Sequence, residues 1–296
     1  AARRSLAVKT RLWLASASSV GLGLPGVSHR LRGGWHRIAP IRRRIGGCMA
    51  SRPKKSTYSD DEWRARVDLA AAYRLTDHFD MTDLLYNHIT CRVPGTDDQF
   101  LINEFGLGYD EITASNLVKI DIEGNVVEDG DHRINFPGYV IHSAVHAARH
   151  DAVSVMHAHT LYGMAVSALE EGLIPLQQET YQFYNRVAYH DFEGQSVHTS
   201  ERERLVTDLG DKDAMILKNH GLLTLGRSVA EAWVSMWQLE KACKVQVIAQ
   251  STGQVIHQVP PQVMEKASSA RFHRYEAIEW PWLLRKLDAK DPSYRS

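Results

Sequence analysis

The stretch around which this chain is organised is Val153-Ser154-Val155-Met156-His157-Ala158-His159-Thr160. Its apolar first half predicts a buried strand, and its end carries two histidines separated by one residue. Because side chains alternate between the two faces of a strand, His157 and His159 are expected to point the same way. Such a pair forms an open clamp for a divalent metal ion, although two ordinary hydrogen-bonded strand histidines would give the same pattern.

A third ligand for such an ion has to come from elsewhere in the chain. The best candidate is His220, in the run Ile216-Leu217-Lys218-Asn219-His220-Gly221. This run begins as a β-type segment and ends in an Asn-His-Gly turn, which would place the imidazole at the end of a strand. His157, His159 and His220 are therefore the candidate metal ligands.

The surrounding sequence predicts a mixture of helices and strands. Ser59-Asp60-Asp61-Glu62 has the S-x-x-E form of a capping box and predicts a helix from about Asp60 to Phe79. A hairpin is expected next, with strands at residues 86–92 and 99–103 on either side of a turn-forming joint. The remaining predictions are helices at 139–149, 161–171, 202–209 and 228–247, and strands at 118–122, 187–189 and 222–225.

A second group of histidines lies on one of these predicted helices. His142, His146 and His150 follow one another at steps of four residues, so they share one helix face. This spacing is compatible with two metal ligands from one helix, but no carboxylate or cysteine partner is near in sequence. Contact between the helix and the sheet is the expected role of these side chains.

Charge and cysteine content exclude several classes of function. Residues 1–50 contain ten of the 35 basic side chains and no acidic one, so residues 51–296 carry 25 basic against 35 acidic side chains. An acidic body argues against a nucleic-acid partner, because phosphate binding needs a basic surface. Three widely spaced cysteines predict neither a disulfide framework nor a thiolate zinc site, and no apolar run approaches the roughly 20 residues of a membrane span.

The chain is expected to divide into three parts. Residues 1–55 are predicted to be a disordered basic extension, residues 56–255 a folded domain, and residues 256–296 a tail. The tail contains Trp280-Pro281-Trp282-Leu283-Leu284, which is too apolar to stay in water and is expected to dock on the domain or on a neighbouring subunit.

The composition of residues 1–48 leaves two possibilities for the location of the protein. This segment is rich in Arg, Ser, Gly and Ala and lacks acidic residues, as an organelle transit peptide does, which would indicate a mitochondrial protein. The alternative, which we favour from the sequence, is that Met49 is the true start. In that case a cytoplasmic location is expected.

Several motifs, taken together and in this order, resemble the class II aldolase/adducin superfamily from about Glu62 to Gln250. They are Tyr86-Asn87-His88-Ile89-Thr90, Phe105-Gly106-Leu107, the run from Thr113 to Ile120, His157-Ala158-His159-Thr160 and Lys218-Asn219-His220-Gly221. The resemblance implies a single three-layer α/β/α domain with a central, mainly antiparallel sheet, often assembled as a homotetramer. It also implies that His157, His159 and His220 hold a divalent metal ion, zinc first, with Fe²⁺ or Mn²⁺ as alternatives.

Two departures from the sugar-phosphate aldolases of that superfamily bear on the chemistry. Those enzymes carry a proton-transferring glutamate four residues before the position of His142, where this chain has Gly138. General acid–base catalysis is typically worth about 10²- to 10⁴-fold, so another group would have to substitute. Those enzymes also have a phosphate-binding serine pair where this chain reads Asn135-Phe136-Pro137, so a phosphorylated substrate is not expected.

Candidates for the missing proton-transfer group are Glu179, Tyr181 and His142. Glu179 and Tyr181 lie in a loop that could approach the metal from the same or a neighbouring subunit, although a solvated loop carboxylate is the simpler interpretation of Glu179. Asn87 and Gly106 match positions that line the substrate pocket in the resembling aldolases. Asn87 could equally cap the hairpin.

The resulting hypothesis is a metal-dependent carbon–carbon lyase that acts on a small unphosphorylated hydroxy- or oxo-acid. One alternative loads the same three histidines with Fe²⁺ for oxidative decarboxylation. Another is a non-catalytic, adducin-like binding module, because Gly138 and the motifs around His88 and Gly106 are closer to the adducin head domain than to the sugar aldolases. The chain lacks the long basic tail through which adducins act on spectrin and actin, which argues against a membrane-skeleton role.

Overall fold

A computed structural model describes residues 57–194, 199–269 and 275–296, all of which lie in one compact unit, Met49–Ser296. The basic extension predicted for residues 1–55 lies outside the described residues. None of the described helices combines the length and the apolar character that crossing a bilayer requires.

A seven-stranded sheet forms the centre of the domain. Its order is β3-β2-β1-β4-β7-β6-β5, and every neighbouring pair is antiparallel except β5 and β6. The prediction of a central, mainly antiparallel sheet is therefore confirmed. The strands are β1 (His88–Arg92), β2 (Gln99–Asn103), β3 (Leu117–Asp121), β4 (Ser154–Ala158), β5 (Val187–His190), β6 (Ala214–Leu217) and β7 (Gly221–Gly226).

Helices cover both faces of the sheet. They are α1 (Asp60–His78), α2 (Phe136–Ala148), α3 (Leu161–Ser167), α4 (Thr199–Leu209), α5 (Val229–Ser251), α6 (Pro261–Ser269) and α7 (Trp280–Lys290). Apolar side chains of α2 and α4 form a buried cluster with one face of the sheet, whereas α1, α3, α5 and α7 contribute to the cluster on the other face. This arrangement is the predicted three-layer α/β/α architecture.

Side chains along β4 alternate between the two faces of the sheet, and this alternation decides which helix layer each one contacts. Val155 belongs to the cluster on the α2 side, and Met156 to the cluster on the α1 side. The same alternation puts His157 on the α2 side, and its strand partner on β1, His88, lies directly opposite it in the antiparallel register. Two histidines are thereby placed side by side on one face of the sheet.

The predictions for the start of α1 and for the end of α3 have opposite outcomes. The Ser59 hydroxyl accepts a 3.1 Å hydrogen bond from the Glu62 backbone N–H, so the predicted cap of α1 is confirmed. The prediction of a helix from 161 to 171 was wrong at its end, because α3 stops at Ser167. Acidic Glu170 and Glu171 would lie at the negative end of the helix dipole, and Gly172 turns the chain with a φ of +61°.

The C-terminal helix α7 lies against α1. Trp280 is buried, and its indole N–H donates a 3.0 Å hydrogen bond to the Asp68 carboxylate, while Leu283 and Leu287 join the core cluster. Trp282, by contrast, is 52% exposed. The apolar part of the tail is thus divided between the core and the surface.

Candidate metal centre

Three histidine rings form a nearly equilateral triangle at one end of the sheet. The centroids of His157, His159 and His220 are each 4.8 Å from the other two. One nitrogen from each ring can be chosen so that the three atoms lie within 4.8 Å of one another. Residues that are remote in the chain therefore converge as the sequence predicted, in a geometry that could hold one divalent ion.

Local backbone structure brings His220 to the other two rings. It lies in the tight turn between β6 and β7, where Asn219 has a φ of +55° and His220 N–H donates to the Leu217 carbonyl oxygen. A Cβ atom on Gly221 would lie 2.7 Å from the backbone oxygen of Ala158. Glycine at this position therefore lets β7 approach the end of β4 closely enough for the triangle to close.

Hydrogen bonds at the outer nitrogens orient two of the rings. His157 Nδ1 lies 2.9 Å from the Leu222 carbonyl oxygen, and His159 Nδ1 lies 2.9 Å from a carboxylate oxygen of Asp83. Both partners are acceptors, so each Nδ1 is the donor. This is the arrangement that metal-binding histidines usually have, because it fixes the tautomer and directs Nε2 at the ion.

The distance between the Nε2 atoms of His157 and His159 shows whether one metal ion could bind both rings. In neutral rings both Nε2 atoms carry a lone pair, and they face each other at 3.1 Å. Two nitrogens about 2.1 Å from one tetrahedral ion lie about 3.4 Å apart, which is close to this separation. The donor set of three imidazoles suits zinc, iron or manganese, so these residues fit a bound divalent ion.

Burial keeps the rings of His157 and His220 in the neutral form that binds metal. Loss of solvation, followed by the neighbouring His220 and His159, holds the pKa of His157 well below its usual range. Burial, then His159, lowers the pKa of His220 to about 4. Because a metal competes with protons for imidazole, neutral rings are ready to bind it near pH 7.

A cavity of about 350 Å³ opens onto the triangle. Besides the three histidines, its wall includes Asn87 and His88, with Ile141 and Phe192 among its apolar members. No lysine or arginine lines this cavity within the described part of the chain. Both polar atoms of the Asn87 amide are buried and make no hydrogen bond to a described residue. The described wall of the cavity therefore offers a metal-type site and unpaired polar groups, but no cationic side chain for a phosphate.

His88 occupies the space beside Gly138. A Cβ atom added to Gly138 would lie 2.3 Å from His88 Cε1 and 2.9 Å from Nδ1, so only glycine leaves room for the ring. His88 is fully buried, and burial lowers its pKa to about 4, against an opposing contribution from the backbone of Gly138 and Asn87. Neither ring nitrogen makes a hydrogen bond of acceptable geometry to any described residue.

A chain of buried polar groups runs from His88 into the α2 layer. The rings of His88 and His142 lie 4.0 Å apart, and Thr90 Oγ1 is 2.8 Å from His142 Nδ1 and 2.8 Å from His146 Nε2. His146 Nδ1 donates to the Ala152 carbonyl, so Thr90 donates to His146 and accepts from His142. The expected helix–sheet contact is therefore confirmed for His142 and His146, whereas His150 is exposed.

The burial of His146 predicts a loss of stability in acid. Burial lowers its pKa from 6.5 to about 3, so below pH 6.5 the unfolded chain binds a proton that the folded protein does not. Between pH 7 and pH 5 this one residue should lower the free energy of unfolding by about 2 kcal/mol. Urea unfolding at both pH values should show a correspondingly smaller pH difference in His146→Gln. The exposed His150→Gln variant is the matched control, and an equal difference in both variants would contradict the prediction.

The structure does not bring all sequence-predicted site residues to the cavity. His142 is fully buried behind His88 and does not line it. Glu179 lies in the 3₁₀ segment Gln178–Phe183 with Tyr181, and a 2.8 Å contact with Lys241 lowers the pKa of its carboxyl. Neither residue lines the cavity of its own chain, and neither does Gly106, which has a φ of +110°.

Sequence reasoning missed Asp83 and left His88 without a role. Asp83 is 76 residues from His159, and no local pattern connects the two. His88 is part of the Tyr86–Thr90 motif, but its ring reaches the cavity because Gly138 lies opposite it. Only the packing of α2 on β1 shows this contact. The sequence offered one signal for His88, which is a histidine in a strand that pairs with the strand of His157.

The fold is that of the class II aldolases, and the chain belongs to the family described as "Class II Aldolase and Adducin N-terminal domain", which it matches over residues 67–247. It is 50% identical to an aldolase II superfamily protein from Pseudomonas syringae, with a TM-score of 0.78 over 81% of this chain and 98% of that one. Class II aldolases generally depend on a divalent metal ion, act on small molecules and often form oligomers.

Two further relatives are an aldolase and an adducin. An L-fuculose 1-phosphate aldolase from Glaciozyma antarctica is 28% identical, with a TM-score of 0.72 over 82% of this chain and 96% of that one. Alpha-adducin of Rattus norvegicus is 44% identical over 193 residues, which are 64% of this chain but only 26% of alpha-adducin. The domain is thus similar both to an enzyme and to one part of a much longer adducin.

Proposed function

We propose that this protein is a divalent-metal-dependent carbon–carbon lyase that acts on a small unphosphorylated hydroxy- or oxo-acid. The observation that carries the proposal is the closed triangle of His157, His159 and His220 at the floor of an open cavity. Both outer Nδ1 atoms of the HxH pair already donate to acceptors, so their Nε2 atoms are available for an ion. We assign zinc as the first choice of metal, with Fe²⁺ or Mn²⁺ as alternatives.

The charge of the site supports an anionic substrate without a phosphate. Three neutral imidazoles leave a bound divalent ion its full positive charge, and Asp83 offsets part of it through His159. With no lysine or arginine in the described cavity wall, the ion would be the main attraction for an anion. A compact carboxylate that can chelate fits this arrangement better than a sugar phosphate with a second, distant charge.

The proposed reaction is an aldol cleavage. The substrate hydroxyl loses its proton. The bond then breaks between the carbon that bears this hydroxyl and the carbon next to the 2-oxo group, and the hydroxyl-bearing carbon leaves as an aldehyde or ketone. The electron pair remains on the carbon next to the 2-oxo group, which then takes up one proton. A bound divalent ion supplies stabilisation of the negative charge that develops on the substrate oxygen.

The chain's own side chains would orient the substrate. The unpaired amide of Asn87 can donate to or accept from a substrate oxygen, and Ile141 and Phe192 cover the reacting atoms with apolar surface. Glu179 and Tyr181 stay candidates for proton transfer only through a neighbouring subunit, because they do not line the cavity of their own chain. We propose a homotetramer on this ground.

A substrate and metal screen tests the proposal. Purified protein is loaded with Zn²⁺, Mn²⁺ or anaerobic Fe²⁺ and given a series of 4-hydroxy-2-oxo acids, each with and without a phosphate group. We expect release of a 2-oxo acid from the unphosphorylated compounds with zinc, no oxygen uptake, and unchanged rates in the exposed-surface control His150→Ala. Absence of cleavage with every metal would overturn the lyase, and oxygen consumption with Fe²⁺ would favour oxidative decarboxylation.

A non-catalytic adducin-like module is the second candidate, favoured by the 44% identity to alpha-adducin. It requires that His157→Ala leave function and partner binding intact. The lyase requires that the same variant lose metal and cleavage activity together. The cytoplasmic location, with the mitochondrial alternative, stays a prediction.

A further inference from the structure

We propose that His88 is a further substrate-contacting residue of this site, whose ring forms a hydrogen bond to an oxygen atom of a small hydroxy- or oxo-acid in the cavity. This inference rests on the proposed metal site and assigns to the same cavity a residue that selects the ligand. It is carried by three observations on His88: its position, its unpaired nitrogens and the glycine beside it.

The position of His88 is beside the three histidines but not among them. It pairs with His157 across β1 and β4, and both side chains lie on the same face of the sheet. Its ring lines the same cavity, although the clustered metal-type nitrogens belong to the other three residues. His88 can therefore reach a ligand in the cavity without serving as a fourth ligand of the ion.

Neither ring nitrogen makes a well-formed hydrogen bond to a described residue, although the backbone of Gly138 and Asn87 lies near enough to act on the ring. His88 is 0% exposed, and neither Nδ1 nor Nε2 is satisfied by any described residue. A buried polar group without a partner costs about 1–3 kcal/mol, and such groups are rare unless a ligand or water completes them. An imidazole offers one N–H and one bare nitrogen, which suits the hydroxyl or carbonyl oxygen of a small acid.

The surrounding residues keep the ring in one place. Gly138 provides the space on one side, since any Cβ there would overlap the ring at 2.3 Å. On the other side the His142 ring lies at 4.0 Å and is itself fixed by the hydrogen bond to Thr90. A ring held from both sides loses little conformational entropy when a ligand binds.

The ligand that this arrangement fits is a compact oxygen-rich anion. The adjacent Asn87 amide also makes no hydrogen bond to the residues that the structure describes, so two neighbouring residues offer donors and acceptors to a ligand. Glycolate and pyruvate are a small hydroxy-acid and a small oxo-acid that can chelate a metal and reach a second polar group. They are therefore suitable probes, although neither is proposed as the natural substrate.

The test measures metal binding and ligand binding separately. Wild type, His88→Ala, His88→Gln, Gly138→Ala and the exposed control His150→Ala are loaded with Co²⁺, and glycolate and pyruvate are titrated while the visible Co²⁺ absorption is recorded. We expect His88→Ala and Gly138→Ala to weaken at least one probe about tenfold, the equivalent of one hydrogen bond to a buried group. His88→Gln should retain most of the affinity, and the Co²⁺ affinity should stay within about twofold in all variants.

The failure of this inference and that of the proposed function give different results. If wild type takes up no Co²⁺, the metal site itself is wrong and the role of His88 falls with it. If Co²⁺ binds but neither probe changes its absorption, or if His88→Ala binds both probes as wild type does, the contact by His88 is overturned while the metal site stands. A fall of Co²⁺ affinity in parallel with probe affinity would also overturn it. Gly138→Ala and His88→Gln decide the question if His88→Ala does not fold.

Discussion

Replacing His220 by alanine is expected to weaken zinc binding by about 10²- to 10³-fold and to abolish any metal-dependent cleavage. Four-ligand zinc sites bind with about 10–16 kcal/mol, so one imidazole carries roughly 3–4 kcal/mol. His220 is the informative choice because it lies on a turn and is only partly buried, whereas His157 lies within the sheet. Competition with a chromophoric chelator measures the zinc affinity, and elemental analysis gives the stoichiometry.

A graded series makes this prediction specific to the metal centre. Asp83→Asn keeps the size of the side chain but weakens the acceptor for His159, and loss of such an orienting partner typically costs about 10- to 100-fold in metal affinity. His150→Ala, on the exposed end of the α2 histidine series, should bind zinc as wild type does. Wild-type zinc affinity in His220→Ala would show that the triangle does not bind the ion.

The fold was predictable where local chemistry dictates structure. The alternation of Val155, Met156 and His157 follows from the pleat of a strand, and the cap at Ser59 follows from a hydroxyl placed before unpaired backbone N–H groups. The end of α3 was not predictable in the same way. The sequence predicted a helix as far as Glu171, but α3 ends at Ser167, whose carbonyl oxygen accepts a 2.9 Å hydrogen bond from the Asn219 backbone N–H in a distant turn.

The site was predictable only as far as its metal-type histidines. His157 lies near the end of β4 and His159 follows directly after it, and the turn at His220 has its own sequence signal, so their convergence needed little more than the sheet. The contact between Asp83 and His159 and the fit of His88 against Gly138 depend on how distant segments pack. Tertiary packing at these positions cannot be deduced from spacing along the chain.

The packing of His88 also changes the meaning of Gly138. From the sequence, glycine at this position was a missing acid, a loss relative to the sugar-phosphate aldolases. In the structure the vacated space is occupied by an imidazole from β1 that faces the same cavity. Glycine on α2 therefore makes room for a polar group that β1 supplies to the cavity.

The second large expected effect concerns stability: Arg66→Ala should lower the free energy of unfolding by about 3–5 kcal/mol. Arg66 is 0% exposed, and its guanidinium contacts Glu62 at 3.0 Å, Glu128 at 2.9 Å and the Leu117 carbonyl oxygen at 2.8 Å. Removing it leaves two carboxylates with less compensation, and breaking a buried pair in this way is strongly destabilising. Urea unfolding of metal-free protein gives the value without a contribution from bound ion.

The neighbouring Arg64 provides the matched control for this effect. Its side chain is 73% exposed and pairs with the exposed Asp61, so Arg64→Ala should change stability by less than about 1 kcal/mol. Lys119 contacts Glu62 at 2.8 Å and keeps part of the compensation in Arg66→Ala, which places the expected loss nearer the lower end of the range. Equal losses in the two variants would mean that the network contributes no more than a surface pair. A selective loss in Arg66→Ala would show that this buried charge joins α1 to β3 and to the segment that contains Glu128.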